Sequence, residues 1–229
     1  MIGTGESDFG TIRPGFDASI SVGFSGAKLT SDTGFLLLRE VDERFGVLSS
    51  TVASLEDSRS PSHTRHSLLE MVRQRVYQIA AGYEDCNDAD FLRNDPALRL
   101  ATGKREKEGA GQSAMSRLEN AILGTGIGIL ALEKAVAKSA DAPLGVKVRP
   151  LLVIDMDSTE DPAYGTQEEV AYNGHFQTSC FHPLFAFSSD GTCLAAKLRP
   201  GNVHSANGAL PMLEDLTRRY RTRAKNLWF

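Results

Sequence analysis

The sequence predicts an α+β protein: a mainly helical region over residues 1–142, then strands and one helix in β-β-β-α-β order over 143–229. Three observations carry this. The stretch SLLEMVRQRVYQIAAGY sets Leu68, Leu69, Val72, Val76, Ile79 and Ala80 at helical spacing behind Ser67. Leu151, Leu152, Val153 and Ile154 form a continuous apolar run, the pattern of a central strand covered on both faces. Ser189-Asp190-Gly191 separates two β-rich pieces, as a hairpin turn does.

The elements follow in order. ISVGFSGAKLT alternates weakly and reads as a strand or hairpin. Ser31 and Asp32 precede GFLLLREVDERFG, a first helix with an N-terminal cap. Ser67 caps the helix that follows, and Gly82 stops it. Asp88 can cap a short helix around ADFLR, and Pro96 opens the next helical turn. KREKEGAGQ reads as a loop, after which Ser113 caps AMSRLENAIL. Gly124, Gly126 and Gly128 interrupt that helix before ILALEKAVAKSA resumes it, which makes a helix–turn–helix. Gly124-Thr-Gly-Ile-Gly lacks the preceding strand and the Gly-Lys-Ser/Thr ending of a phosphate-binding loop. Character changes at Pro143. VRPLLVIDMD, FQTSCFHPLFAFS and TCLAAKLRP read as three strands of a meander, and GALPMLEDLTRRYRTR as a helix with Leu210, Leu213 and Leu216 on one side. LWF starts a fourth strand. That order begins a ribonuclease-H-like fold: three antiparallel strands, a helix, and a strand returning beside the first.

The chain has 229 residues, enough to bury a core in one or two domains. Its start has no basic, apolar signal pattern, and no apolar run reaches membrane-spanning length, so a cytoplasmic protein with no membrane partner is the default expectation. Cys86, Cys180 and Cys193 are odd in number with no C-x-x-C pair, which fits a reducing compartment. His175, Cys180, His182, Cys193 and His204 lack the usual zinc spacing, and His63 and His66 read as loop or capping residues. A formal charge of -4 does not advertise a nucleic-acid binder. TRRYRTRAK, from Thr217 to Lys225, is strongly basic all the same, either as a solvated helix face or as a contact for a polyanion.

Asp155 and Asp157 interrupt the apolar run and, two residues apart on a strand, share one face. A carboxylate beside a buried strand needs strand-end solvent, a basic partner or a divalent metal to offset its desolvation. Mg²⁺ takes carboxylate oxygen and keeps waters, leaving room for a phosphate substrate. The alternative is a strand that ends at Ile154 and a surface turn from Asp155 onwards.

Several stretches together resemble an insertion-sequence DDE transposase of the group 1 branch, from about Phe24 to Phe229. They are FSGAKLTSDTGFLLLREVDERFG, the pieces HSLLEMVRQRV, GYEDCNDAD and LRNDPALR, then QSAMSRLEN, VIDMDSTEDPAYGTQE, YNGHF, CFHPLFAF and LRPGNVHSANGA. The resemblance implies a ribonuclease-H-like core with an Asp-Asp-Glu metal triad, Mg²⁺ or Mn²⁺ as cofactor, and metal-dependent cleavage and transfer of DNA strands at insertion-sequence ends. The family's first Asp opens a D-S-T motif, here Asp157-Ser158-Thr159, which makes Asp157 the expected catalytic and metal ligand; Asp155, on the same strand face, is the second choice. The second Asp of the family follows a strand of the kind that Leu227-Trp228-Phe229 begins. Neither it nor the Glu has a counterpart here, so the expectation is an incomplete core and a C-terminally truncated, inactive fragment; a non-catalytic DNA-binding remnant is the alternative. Expected partners are terminal-repeat and target DNA, with self-association in the complete protein. Ser113, Ser116 and Arg117 at a helix start, with Arg73 and Arg75, are candidate DNA contacts; a scaffold in which Arg117 pairs with Glu119 or Asp85 is equally compatible.

Overall fold

The computed structural model describes residues 12–23, 32–103, 107–145, 148–163 and 167–229. The chain divides into two compact units, Met1–Ala131 and Leu132–Phe229. Ser31, most of ISVGFSGAKLT and the start of KREKEGAGQ lie outside the described residues; what remains of the first β-like piece is an antiparallel bridge between Ile12 and Val22.

The first unit is helical: α1 (Gly34–Phe45), α2 (Val47–Val52), α3 (Leu68–Ala80), α4 (Asp88–Leu92), α5 (Pro96–Thr102), α6 (Gln112–Leu118) and the start of α7 (Gly126–Leu144). Ser67 caps α3 as expected: its hydroxyl accepts from the Glu70 N–H, and the Glu70 carboxylate takes the Ser67 N–H in return. Pro96 opens α5, with Asp95 accepting from the Leu98 N–H at 2.7 Å. Other expected caps differ. Thr33, Asn87 and Gly111 hold the N-cap positions of α1, α4 and α6, none with a side-chain cap bond. A π-helical turn, Glu119–Leu123, extends α6 before Gly124. Gly128 packs so tightly on this turn that a Cβ there would overlap the carbonyl oxygens of Ile122 and Leu123. Pro143, expected in a linker, lies within α7.

α3 contributes to two clusters. Leu68, Met71 and Val72 pack with Ala89, Ala110, Met115, Leu118 and Ile122; Tyr77 packs with Phe35, Leu36, Leu92 and Leu98. Helical spacing locates this helix correctly but misplaces part of its buried face. Val76 and Ile79 are exposed, whereas Arg73, Gln74, Arg75 and Gln78 are buried. Arg73, Gln74 and Arg75 enter because partners from other elements meet them, whereas the buried Gln78 amide has no hydrogen-bond partner among the described residues. Arg73 Nε donates to Asp42 at 2.7 Å. The Gln74 amide donates to the Ala110 carbonyl at 2.7 Å and accepts from its N–H at 2.8 Å. Asp42, itself buried, also accepts from the Leu48 N–H and the Tyr77 hydroxyl. Burial, reinforced by the Asp42 charge, pushes the Tyr77 hydroxyl above its ordinary range.

The second unit holds a four-stranded sheet of order β6-β5-β1-β7, built from β1 (Arg149–Ser158), β5 (Leu184–Ser188), β6 (Cys193–Lys197) and β7 (Ala224–Trp228). β1, β5 and β6 are antiparallel in sequence order, and β7 returns parallel to β1 after α8 (Ala209–Tyr220). This is the β-β-β-α-β order of a ribonuclease-H-like core. A second sheet, β2 (Asp161–Pro162), β4 (Thr178–Phe181) and β3 (Ala171–Asn173), is inserted between β1 and β5. FQTSCFHPLFAFS, read as one strand, is therefore two; Pro183, with no N–H to donate, falls at the break. Ser189-Asp190-Gly191 does join β5 to β6, with Gly191 at φ 82°. α8 packs through Met212, Leu216 and Tyr220 onto Leu152, Ile154, Leu184, Ala186 and Leu194. Leu210, expected on that face, is 64% exposed. Among the described residues no single helix is long and apolar enough to cross a membrane.

Removing one partner of a buried ion pair strands the other charge. Asp42→Asn is therefore expected to lower the stability of the first unit by about 3 kcal/mol, read as a shifted urea midpoint by circular dichroism. An unchanged midpoint would mean that Glu43, 3.2 Å from Arg73, neutralises the guanidinium alone.

Candidate functional site

β1 alternates as a strand must. Leu152 and Ile154 point into the core, while Leu151, Asp155 and Asp157 lie exposed on the other face. The strand does not end at Ile154. Asp155 pairs with Phe187, Asp157 with Phe185 and Ser158 with Leu184 on β5. Both carboxylates thus belong to the ladder, on one face and about 7 Å apart along it. That face is open: Leu151 is 40% and Phe187 36% exposed. Expected burial on both faces is not what the structure has, so neither carboxylate carries the desolvation cost that the sequence pattern suggested. One Asp157 oxygen accepts from the Ser158 N–H at 2.8 Å. Asp155 makes no ion pair among the described residues.

The carboxylate end of β1 is tied to a knot of backbone-directed side chains. The Thr159 N–H donates to the Pro183 carbonyl at 3.3 Å, and the His182 N–H to Arg199 at 3.0 Å. Arg199 is buried. It donates from Nε to the His182 carbonyl at 2.7 Å, from one terminal nitrogen to the Ser205 carbonyl at 3.0 Å, and from the same nitrogen to the Asn207 carbonyl. Among the described residues its side-chain bonds are to carbonyls, and burial lowers its pKa. His182 meets the Val203 carbonyl through Nδ1 at 3.1 Å, and the Asn173 amide donates to Gly201 at 2.7 Å. Gly201 lies so close to Cys180 and Ala171 that a Cβ would overlap both carbonyl oxygens. Sequence reasoning gave these residues no role. Their signal lay in YNGHF, CFHP and LRPGN, motifs whose side chains serve the backbone.

The candidate DNA contacts are not brought together. Arg73 is engaged with Asp42 and Glu43. Arg75 reaches Glu119 and the Tyr83 and Glu84 carbonyls. Both guanidiniums are turned inward and present nothing to a phosphate here. Glu119, already held by Arg75, also accepts from the Cys86 thiol, which burial and this contact push up to about 12. Arg117 is left exposed with no ion pair among the described residues. Ser113 is exposed, and Ser116 accepts from the Asn120 amide at 3.2 Å. They sit on α6, seven residues long, whose N-cap is Gly111.

Other acidic and metal-ligating groups are committed elsewhere. Asp190 is fixed in the β5–β6 turn, where Ser188, Thr192 and Arg149 hold its carboxyl well below the usual carboxylate range. Asp215 pairs with Arg218 on α8. No three His, Cys, Asp or Glu side chains gather around a metal-sized space among the described residues, and all three cysteines are free.

A family model for the transposase DDE domain, group 1, matches residues 12–228. The chain belongs to this family. No curated protein and no solved structure matches it. Transposition is the family's function, DNA its substrate class, and divalent-metal dependence its general chemistry. The ribonuclease-H-like strand order agrees with that membership.

Gly201→Ala is expected to destabilise the second unit by about 1–3 kcal/mol, because overlap with two backbone carbonyls forces a shift that no rotamer relieves. The loss should appear in chemical denaturation. An unchanged midpoint would show that the Leu198–Gly208 segment adjusts freely.

Proposed function

We propose that this transposase family member uses Asp157, with Asp155 beside it, as the first carboxylate ligands of Mg²⁺ or Mn²⁺ in DNA strand cleavage and transfer at insertion-sequence ends. The observation that carries the reading is the pair of exposed carboxylates on one face of the central strand, beside a parallel neighbour. Ligands of open α/β sheets gather near the carboxyl ends of parallel strands. The donor set fits a hard cation: the carboxylate oxygens of Asp157 and Asp155 would hold Mg²⁺ or Mn²⁺ and leave room for waters and a substrate phosphate. Asp157 is the preferred catalytic ligand because it opens the D-S-T motif, and the Ser158 N–H holds one of its oxygens while the other meets no donor among the described residues.

Bound metal in such a site activates the attacking oxygen and stabilises the leaving one. The chain's own contribution is to hold two oxygens in register on a strand pinned from both sides. Two carboxylates are an incomplete two-metal site, and no third ligand joins them among the described residues. On this reading the chain alone holds terminal-repeat DNA without cutting it, and further carboxylates, with self-association, complete the reaction.

Mn²⁺ titration followed by amide line broadening tests the assignment. Broadening should centre on residues 155–158, disappear in Asp157→Ala and weaken in Asp155→Ala. Broadening centred elsewhere, or surviving Asp157→Ala in full, overturns it. Strand transfer on terminal-repeat DNA by the chain alone would overturn the incomplete-site reading.

A further inference from the structure

We infer that the turn joining α8 to β7, with the residues beside it, is a DNA-backbone-binding surface separate from the carboxylate strand. The inference rests on the reading of the chain as a DNA-acting transposase and adds to it a place. Arg218, Arg219, Arg221, Arg223 and Lys225 fall within eight residues, and no acidic residue follows Asp215. The chain as a whole carries -4, so this concentration of positive charge runs against the balance of the molecule.

Local neutralisation is incomplete. Asp141 on α7 serves both Arg219, at 3.0 Å, and Arg223. One carboxylate between two guanidiniums leaves a net positive charge. Arg218 pairs with Asp215 in an arrangement exposed at both ends, 72% and 65%, where an ion pair is worth little. Arg221 and Lys225 are exposed and have no carboxylate partner among the described residues. Arg149 sits opposite Ala224 in the sheet and is matched by Asp190. Around this end of the sheet six basic side chains thus meet three carboxylates.

Helix electrostatics explain part of this, not all. Basic residues in the last turn offset the dipole of α8, which accounts for Arg218 and Arg219. Arg221 is the C-cap residue and shares that benefit, whereas Arg223 and Lys225 lie beyond the helix, where it fades. The turn is also well anchored. Arg219 donates to the Leu194 carbonyl at 3.2 Å and lies 5.0 Å from the Tyr220 ring centroid. The Arg223 N–H donates to Tyr220 at 2.8 Å, and its carbonyl accepts from the Arg149 N–H at 2.9 Å. The anchored backbone fixes where the under-neutralised side chains emerge, and the arginine fork matches phosphate oxygens.

Its position sets its role. Arg149 pairs with Ala224 at the start of β1, eight residues before Asp157, or about 26 Å along the strand. Phosphates held here are not the one presented to the carboxylates. The surface grips flanking duplex, which gives register and affinity without reading sequence.

Fluorescence anisotropy on the full chain with terminal-repeat and unrelated duplexes tests this. Arg221→Glu/Lys225→Glu should weaken both by about tenfold near 200 mM salt and lower the salt slope by roughly two. The charge-preserving Arg221→Lys/Lys225→Arg should keep both values. Arg221→Gln alone, a milder change, should lower the slope by roughly one, which keeps the inference testable if the double reversal perturbs folding. Unchanged affinity and slope in the reversal variant overturn the surface and leave the metal-strand assignment intact. No duplex binding by the unaltered chain, even at low salt, overturns both the surface and the DNA-holding part of the proposed function.

Discussion

The period-two geometry of β1, fixed in register from both sides, is the constraint on which the second unit depends. Its first half pairs with β7 over Arg149–Val153 and its second half with β5 over Ile154–Ser158. Leu152 and Ile154 enter the core beneath α8, and the same alternation turns Asp155 and Asp157 outward. A slip of one residue would exchange these sets. It would forfeit roughly 1.5–3 kcal/mol for each apolar side chain and bury two carboxylates, a larger cost still. Core packing and carboxylate presentation are thus one decision, made by the spacing of four residues.

The first unit follows a different logic. Its central helix buries Arg73, Gln74 and Arg75, whose partners lie far away in sequence: Asp42 is 31 residues from Arg73, Ala110 is 36 from Gln74, and Glu119 is 44 from Arg75. Apolar spacing announced α3, and the capping box at Ser67 fixed its start, because both signals are local. The buried face was only partly legible, since a charged side chain shows no sign in sequence of the partner that lets it go inside. Reading Arg73 and Arg75 as phosphate contacts assumed solvent exposure, which those distant partners remove.

The site divides along the same line. Asp-x-Asp on an apolar strand is readable because strand periodicity needs only neighbours. The knot around Arg199 was not, because Asn173, His182, Arg199 and Gly201 span 28 residues and bind carbonyl oxygens, which have no residue identity. The inserted sheet of β2, β3 and β4 was missed for want of length, with strands of two to four residues too short for a periodic signal. The knot still matters for the carboxylates. It fixes the chain entering β5 at His182 and Pro183, and Pro183 accepts the Thr159 N–H just beyond Asp157.

Solvation of the carboxylate face changes what a cation gains there. On a strand buried from both sides, metal would relieve a large desolvation penalty. On the open face two carboxylates about 7 Å apart in water repel by only about 0.6 kcal/mol. Relief of that repulsion cannot hold Mg²⁺, which gives up its own waters reluctantly. Under the proposed function, affinity must therefore come from further oxygens, and the substrate's phosphates are the natural source. Metal and DNA then bind with positive coupling, each supplying ligands or charge that the other needs. A basic turn that grips duplex far from the carboxylates strengthens this coupling, because it raises the local concentration of phosphate at the strand without occupying the metal's coordination positions.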